Sequence, residues 1–280
     1  MDIRLIAMDL DGTTLQRDHS TFSPRLLAAL EKAHAKGIAV VPVTGRQFGL
    51  LPPVFETRLP WAELAVLANG GQIRNLQTGA VVQHLNMEPR SLEQLLALAE
   101  EYDLPVELSL DSILYLTRES YDKQCQWPDL TFHRDVILAN HGRIVPSLAP
   151  YCGAGVEKVN LFGVPAAVRE TVEQRLRSVA VSAVWSSANS MEITHPDATK
   201  GRALETVCSM LGIAMAAVMA IGDSGNDITM LRQAGLGVAM GNAPEFVKEA
   251  ADVCTDRYDA DGAAKAIEQY VLGKRVEERI

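Results

Sequence analysis

The segment Ala7-Met8-Asp9-Leu10-Asp11-Gly12-Thr13-Thr14 places two carboxylates where a strand pattern ends. Residues 3–8 are almost wholly apolar, which predicts a central strand buried on both faces. Gly12 then allows the backbone to turn out of the sheet. Two like charges so close together disfavour ionisation of both, so the pair indicates a cation or a divided role as acid and base. Taken alone, the pattern is equally typical of a simple turn.

A second acidic cluster has the same position relative to a strand pattern. The apolar run 216–221 leads into Gly222-Asp223-Ser224-Gly225-Asn226-Asp227, and a helical pattern over 228–234 follows. In a parallel α/β sheet, ligands bind outside the carboxyl ends of the strands, so two acidic strand ends can face one crevice. Magnesium prefers oxygen ligands, usually one or two carboxylates with water and substrate phosphate. The two clusters together therefore predict a Mg²⁺ site.

Two further segments are suited to an anion. A third strand pattern, over 38–43, ends in Thr44-Gly45-Arg46, where a hydroxyl, a small glycine and a predicted helix start can hold a phosphoryl group. Lys200 lies near the start of a helical pattern over 202–211 and offers an ammonium to the same anion. Each has a plain alternative: a turn at Thr44-Gly45 and a solvated helix residue at Lys200. Arg46 is equally suited to contact a substrate or to form a structural salt bridge.

In this order, the motifs resemble those of the haloacid-dehalogenase-like (HAD) phosphatases, and within them the Cof-like branch with a large mobile cap. The resemblance rests on Asp9-x-Asp11-Gly12-Thr13, Thr44-Gly45-Arg46, Lys200-Gly201 and Gly222-Asp223-x-x-Asn226-Asp227. Weaker similarity covers Ala68-Asn69-Gly70, Met191-Glu192-Ile193 and residues 235–243. Residues 83–187 carry little of it. Pro196-Asp197-Ala198-Thr199 departs from the glycine and valine that often precede the family's lysine, which leaves the lysine's role intact.

The resemblance implies a role for each motif residue. Asp9 would attack phosphorus and form an aspartyl-phosphate, and Asp11 would act as acid and then as base. Mg²⁺ would be held by the Asp9 and Asp223 carboxylates and the Asp11 carbonyl, with Asp227 steadying metal-bound water. The transferring oxygens would be contacted by the Leu10 amide, Thr44, Gly45 and Lys200, with Asn226 at metal-site water or phosphate and Arg46 at the substrate.

Composition predicts a soluble cytoplasmic enzyme. The 280 residues, 48% hydrophobic and 22% charged, are enough for one core and an inserted domain. A net charge of −9 argues against a nucleic-acid partner or an anionic membrane. No apolar run approaches the roughly 20 residues that span a bilayer, and the start of the sequence shows no signal-peptide pattern. The four cysteines form no Cys-x-x-Cys pair, which favours incidental thiols over disulfide or zinc roles.

The alternation of strand and helix patterns predicts a doubly wound, mainly parallel, Rossmann-like sheet with an inserted α+β domain. The predicted catalytic core is 1–82 and 188–280, and the insert 83–187 is a predicted cap that selects the substrate. We predict helices from Ser23-Pro24 to Lys36 and after Gly45. Within the insert, 119–155 reads as irregular, with His133 and His141 as surface side chains.

These observations favour a Mg²⁺-dependent phosphatase that hydrolyses phosphate monoesters of small metabolites, such as sugar phosphates, through an aspartyl-phosphate. The expected partner is a small phosphorylated metabolite, with the chain a monomer or small homo-oligomer. A phosphosugar mutase is the alternative within the fold, because it uses the same Asp-x-Asp pair. A non-catalytic protein that binds phosphorylated metabolites is the alternative from another class, and loss of one motif would have favoured it.

Overall fold

The computed structural model describes residues 2–127, 130 and 133–273 of the chain, so residue 1 and residues 274–280 of the predicted core lie outside the description. The chain forms two compact units. Unit 1 comprises the residues up to Gly45, Leu51–Val82 and the residues from Thr199 onward, and unit 2 comprises Arg46–Leu50 and Gln83–Ala198. No helix within the described ranges is long and apolar enough to span a bilayer.

The strands in chain order are β1 (Leu5–Met8), β2 (Ala39–Pro42), β3 (Leu64–Leu67), β4 (Gln72–Asn75), β5 (Val81–His84), β6 (Val106–Leu110), β7 (Ile113–Thr117), β8 (Gly142–Val145), β9 (Lys158–Leu161), β10 (Ser182–Trp185), β11 (Met191–Thr194), β12 (Val218–Gly222), β13 (Leu236–Ala239) and β14 (Val253–Cys254). The helices are α1 (Pro24–Ala35), α2 (Val54–Thr57), α3 (Pro89–Glu101), α4 (Arg118–Gln124), α5 (Ala139–His141), α6 (Arg169–Leu176), α7 (Lys200–Leu211), α8 (Ile228–Gln233), α9 (Glu245–Lys248) and α10 (Gly262–Tyr270). Together they confirm a mixed α/β chain.

Unit 1 is built on a parallel five-stranded sheet in the order β14-β13-β12-β1-β2. Along β1, Ile6 and Met8 pack in the apolar cluster that includes α1 and α10, whereas Leu5 and Ala7 pack in the cluster that includes α7 and α8. Both faces of the strand are therefore buried, which explains its unbroken apolar run. Helices on both faces confirm the doubly wound prediction.

The helices of unit 1 begin and end at the residues that favour those positions. Ser23 caps α1 by accepting a hydrogen bond from the Leu26 amide, at 3.1 Å, and Pro24 occupies the first turn. Thr199 caps α7 in the same way, with the Arg202 amide at 3.2 Å. Gly212 ends α7 in the left-handed region, at φ 64°. The capped start of α7 places Lys200 in its first turn.

The helix predicted after Gly45 is wrong. Only a three-residue 3₁₀ turn, Phe48–Leu50, and the four-residue α2 occur in this part of the chain. Pro52 and Pro53 separate them, because proline disfavours helical backbone at the preceding residue and offers no amide for a helix interior. The helix N-terminus that was predicted to help hold a phosphoryl group at Thr44 is therefore not formed.

Unit 2 contains a six-stranded sheet in the order β10-β11-β9-β6-β7-β8. Its antiparallel centre packs one apolar face against α3 and α6, through residues such as Leu108 and Val159. The opposite face is polar, yet Glu107, Ser109 and Lys158 on it are buried. A buried polar face is costly unless its groups are paired, so this surface differs from an ordinary solvated sheet face.

Three features of unit 2 differ from expectation. The segment 119–155 is partly regular, since it contains most of α4 and also β8, which pairs with β7. His133 is largely buried, with its Nε2 2.7 Å from Glu107 Oε1. The second boundary of the insert lies after Ala198 rather than after residue 187, because β11 pairs with both β9 and β10.

Candidate active site

The two acidic strand ends are neighbours in the sheet. β1 and β12 pair in parallel, with Met8 opposite Ile221, so Asp9 and Asp223 follow at the same end of adjacent strands. The Asp9 amide continues the pairing by donating to the Ile221 carbonyl at 2.9 Å. The predicted crevice of carboxylates is therefore produced by strand order and register alone.

A buried lysine joins two of the acids. Lys200 Nζ lies 2.6 Å from Asp9 Oδ1 and 2.6 Å from Asp227 Oδ1, and its side chain is 0% exposed. Lys200 is therefore not a solvated helix residue. A buried ammonium with two carboxylates forms charge-assisted hydrogen bonds that are shorter and stronger than neutral ones.

The ionisation of this group reflects burial and mutual charge. Burial alone would lower the pKa of Lys200, but Asp227 and Asp9 outweigh it and raise that pKa above its ordinary value. Burial, with the neighbouring Asp227 and Asp223 charges, raises the pKa of Asp9 well above its usual range despite the attraction of Lys200. A dication placed among these oxygens would favour their ionised form.

Asp227 is fixed by the backbone as well as by the lysine. Its Oδ2 accepts hydrogen bonds from the amides of Asp223 and Ser224, at 2.8 and 2.9 Å. Asp227 and Ser224 also form a capping box around the 3₁₀ turn Gly225–Asp227. The carboxylate of Asp227 is therefore held by three donors and orients both Lys200 and the Asp223 loop.

Asp223 is held on both of its oxygens. Oδ1 accepts from Thr13 Oγ1 at 3.0 Å, and Oδ2 accepts from Asn242 Nδ2 at 3.0 Å. Asn242 also donates to the Gly12 carbonyl at 2.9 Å. Burial first, and then the charge of Asp227, raise the pKa of Asp223 to about 7. A Cβ on Gly12 would lie 2.4 Å from Asp223 Oδ2, so the close approach of the two loops requires glycine.

The donor set fits Mg²⁺. Asp9, Asp223 and Asp227 each offer a carboxylate oxygen, and the three oxygens lie within 4.8 Å of one another. Only oxygen ligands are offered, as a hard dication prefers. Three carboxylates against one lysine leave an excess of negative charge that a dication would neutralise.

Asp11, the predicted acid and base, points to a residue that the motifs do not include. Its Oδ1 lies 2.9 Å from His19 Nδ1, and both side chains are partly exposed, at 41% and 44%. His19 itself has φ 53°, in the left-handed region. The Leu10 carbonyl of the same loop accepts from the amides of Thr13, Thr14 and Leu15. The residues after Asp9 therefore form a compact turn around the Leu10 carbonyl.

The phosphoryl-binding candidates are only partly brought together. Thr44 is buried in unit 1, where its carbonyl accepts from the Asn69 amide at 3.0 Å. Asn226 donates through Nδ2 to Asn69 Oδ1, also at 3.0 Å. Gly45 ends the same segment of unit 1, whereas Arg46 belongs to unit 2 and donates to the Leu50 carbonyl at 3.0 Å.

Residues 6–267 match the family model of the haloacid dehalogenase-like hydrolases. The chain belongs to this family. Within the haloacid dehalogenase-like hydrolases it is a Cof-like enzyme of the phosphatase type, as the motifs predicted.

Two relatives and one solved structure illustrate the similarity. A Bacillus subtilis relative, 5-amino-6-(5-phospho-D-ribitylamino)uracil phosphatase YcsE, is 30% identical over 97% of each chain. Pyridoxal phosphate phosphatase YbhA of Escherichia coli is 27% identical over 97% of this chain and 100% of its own. The solved structure of a haloacid dehalogenase-like hydrolase from B. subtilis superimposes with a TM-score of 0.81 at 27% identity, over 96% of this chain and 100% of that one.

Asn69 and Asn242 of this haloacid dehalogenase-like hydrolase contact predicted site residues but were not predicted as site residues themselves. Asn69 follows β3 and Asn242 follows β13, so both lie after the carboxyl end of a strand, as Asp9 and Asp223 do. A polar residue just after the carboxyl end of a strand is a signal that could have identified both asparagines as site residues. It was missed because an asparagine after a strand is also an ordinary turn residue.

Proposed function

We propose that this hydrolase is a Mg²⁺-dependent phosphatase that hydrolyses phosphate monoesters of small metabolites, sugar phosphates among them, through an aspartyl-phosphate on Asp9. The observation that carries the proposal is the buried Asp9, 2.6 Å from Lys200, beside Asp223, which follows the neighbouring strand. The names of two relatives support the substrate class, since both refer to phosphate esters of small molecules.

The proposed reaction has two displacements. An Asp9 carboxylate oxygen bonds to phosphorus while the ester P–O bond breaks, and Asp11 gives its proton to the leaving oxygen. Water then attacks phosphorus and gives a proton to Asp11, and the acyl-phosphate P–O bond breaks to release phosphate and regenerate Asp9. The short loop from Asp9 to Asp11 keeps both groups near one phosphorus atom, which supports this division of roles.

The charged groups have distinct proposed tasks. Mg²⁺ would be held by Asp9 and Asp223 with the Asp11 carbonyl, where it would neutralise charge on the phosphoryl group. Asp227 would support it through metal-bound water. Lys200 keeps Asp9 oriented, and its charge lets a carboxylate approach an anionic substrate.

The phosphoryl oxygens would be contacted by the Leu10 amide, Thr44, Gly45, Asn226 and Lys200. The bond between Asn226 and Asn69, and the backbone bond between Asn69 and Thr44, support placing Thr44 and Asn226 in one pocket. Arg46 remains a proposed substrate contact, with its bond to the Leu50 carbonyl as the competing structural role.

Unit 2 is proposed to select the organic half of the substrate through the polar face of its sheet. Lys158 Nζ lies 2.6 Å from Glu192 Oε1, and Asn160 Nδ2 donates to Glu107 Oε2 at 3.3 Å. The buried Asn160 Oδ1 has no hydrogen-bond partner within the described part of the chain. Buried polar groups normally find partners, so this face is suited to a ligand rich in hydroxyl groups.

A panel of phosphate esters, assayed for released phosphate with and without Mg²⁺, tests the activity. Asp9→Asn should abolish turnover while the protein stays folded, because an amide is a poor nucleophile and a poor metal ligand. A phosphosugar mutase would isomerise sugar phosphates with little release of phosphate, and a binding protein would do neither. Substantial phosphatase activity in purified Asp9→Asn would contradict the covalent reaction.

The role of unit 2 needs its own variants. Lys158→Met should change the order of preference among esters while leaving the Mg²⁺ requirement intact, because the metal residues belong to unit 1. Lys123→Met is the matched control, since Lys123 also lies in unit 2 but pairs with the exposed Asp103 and Glu119. An unchanged order of preference in Lys158→Met would contradict the assignment of the polar face.

A further inference from the structure

Three successive residues at the end of β3 have positive φ angles. The values are 48° at Ala68, 57° at Asn69 and 102° at Gly70. Residues other than glycine rarely adopt this region, and they persist there only where the surrounding structure holds them. Ala68 and Asn69 are both buried. The turn Ala68–Gly70, called here the left-handed turn, is therefore fixed by its contacts rather than by its own preference.

The side chain and backbone of Asn69 join two of the proposed phosphate-binding elements. Its amide donates to the Thr44 carbonyl at 3.0 Å, and its Oδ1 accepts from Asn226 Nδ2 at 3.0 Å. Thr44 follows β2 and Asn226 follows β12, so these two strand ends are not themselves neighbours in the sheet. Asn69 thus links elements that the strand pairing does not.

Gly70, the next residue of the left-handed turn, lies against the start of α7. A Cβ at Gly70 would lie 2.4 Å from the Thr199 carbonyl oxygen. Thr199 caps α7, whose first residue is Lys200. The backbone of the left-handed turn therefore packs directly against the helix start that presents the lysine, and only glycine leaves room for this approach.

We propose that Asn69 is a positioning residue for phosphate binding, which holds Thr44, Asn226 and the start of α7 in one arrangement. The inference rests on the proposed function, since it concerns the same phosphoryl site. Asparagine suits the position because it tolerates the left-handed region and its side-chain oxygen accepts the hydrogen bond from Asn226. The metal acids have other supports: Lys200 holds Asp9, and Thr13 and Asn242 hold Asp223. Loss of the Asn69 side chain should therefore weaken phosphate binding far more than Mg²⁺ binding.

Asn69→Gly tests this, because glycine keeps the left-handed backbone and removes only the amide side chain. Calorimetric titration with Mg²⁺ alone, and with inorganic phosphate in the presence of Mg²⁺, measures the two affinities separately. We expect phosphate affinity to fall about tenfold and KM for a good ester to rise about as much, while Mg²⁺ affinity stays within about twofold. Ser112→Gly is the matched control, since Ser112 is another non-glycine residue in the left-handed region, at φ 67°, and lies in unit 2.

A double-mutant cycle identifies the bond responsible. If Asn69 acts through Asn226, then adding Asn69→Gly to Asn226→Ala should cost little further phosphate affinity. Fully additive losses of phosphate affinity in the double variant would contradict the proposal that Asn69 acts through Asn226. Wild-type phosphate affinity in Asn69→Gly, or a parallel loss of phosphate affinity, Mg²⁺ affinity and folding, would overturn the positioning role. A wild-type chain that neither binds phosphate nor hydrolyses any ester would overturn the proposed function itself.

Discussion

Replacing Lys200 with methionine should destabilise the protein strongly, because it leaves the Asp9 and Asp227 carboxylates buried without their cation. Lys200 Nζ lies 2.6 Å from an oxygen of each, and neither lysine nor Asp227 is exposed. Removing one partner from a buried ion pair costs about 3 to 5 kcal/mol, since the remaining charge keeps its desolvation penalty. Methionine is similar in length and apolar, so the packing contribution to this loss should be small.

The loss in Lys200→Met should also grow with pH. The pKa of Asp9 is already raised by burial, and without the ammonium it should rise further. Because proton uptake neutralises Asp9 only below that raised pKa, we expect the loss to be smaller at the lower pH than at the higher one, within a range of about 3 to 5 kcal/mol. Added Mg²⁺ should stabilise the variant more than the wild-type protein.

Urea unfolding in chelator, followed by tryptophan fluorescence, measures this loss, and Trp61 is the tryptophan of unit 1. Lys123→Met is the matched control: Lys123 also contacts two carboxylates, of Asp103 and Glu119, but both are largely exposed. Exposed pairs contribute about 0 to 1 kcal/mol. The reasoning would be refuted by equal losses in the two variants, or by a loss in Lys200→Met that does not increase from pH 6 to pH 8.

Three further outcomes are expected. Asp11→Asn should lower turnover by about 10² to 10⁴ and let an aspartyl-phosphate on Asp9 accumulate, measured by acid quench; no trapped phosphoenzyme would count against the two roles. Chelator should abolish activity, Mg²⁺ should restore it and Ca²⁺ should inhibit, because Ca²⁺ prefers more ligands at longer distances; full activity after verified metal removal would contradict this. In chelator, Asp223 should make the protein less stable as pH rises from about 4 to about 7, because its folded pKa of about 7 exceeds the ordinary 3.8. Asp223→Asn should remove this contribution when the free energy of unfolding is measured by urea titration at several pH values. An equal change of unfolding free energy with pH in the variant and the wild-type protein would exclude it.

The sequence predicts best what depends on strand order. Asp9 and Asp223 each follow an apolar run that is too uniform for a half-exposed strand, and parallel strands present their carboxyl ends at one edge. The meeting of the two acids therefore needs only that β1 and β12 be neighbours, which they are. The caps of α1 and α7 are equally local, since each depends on a serine or threonine and an amide three residues on.

What the sequence does not predict is decided by tertiary partners. β11 has an ordinary strand pattern, and only its pairing with β9 and β10 assigns it to unit 2. Lys200 was expected to face an anion, but the pattern contains no information that its ammonium would lie between Asp9 and Asp227. The proposed role of Asn69 is also not predictable from the sequence, because it depends on contacts with residues distant in the chain rather than on its sequence neighbours.

The position of β1 between β12 and β2 in its sheet has a consequence for the order of folding. One neighbour, β2, is synthesised soon afterwards, but the other, β12, comes from the last third of the chain, and Thr13 and Asp223 are 210 residues apart. At about 5 to 20 residues per second, one edge of β1 waits roughly 10 to 40 s on the ribosome for its partner. Residues 83–198, which form most of unit 2, emerge as one continuous stretch within that interval. An edge left open this long is exposed to wrong pairing, so the slow step in forming the surroundings of Asp9 should be the arrival of β12.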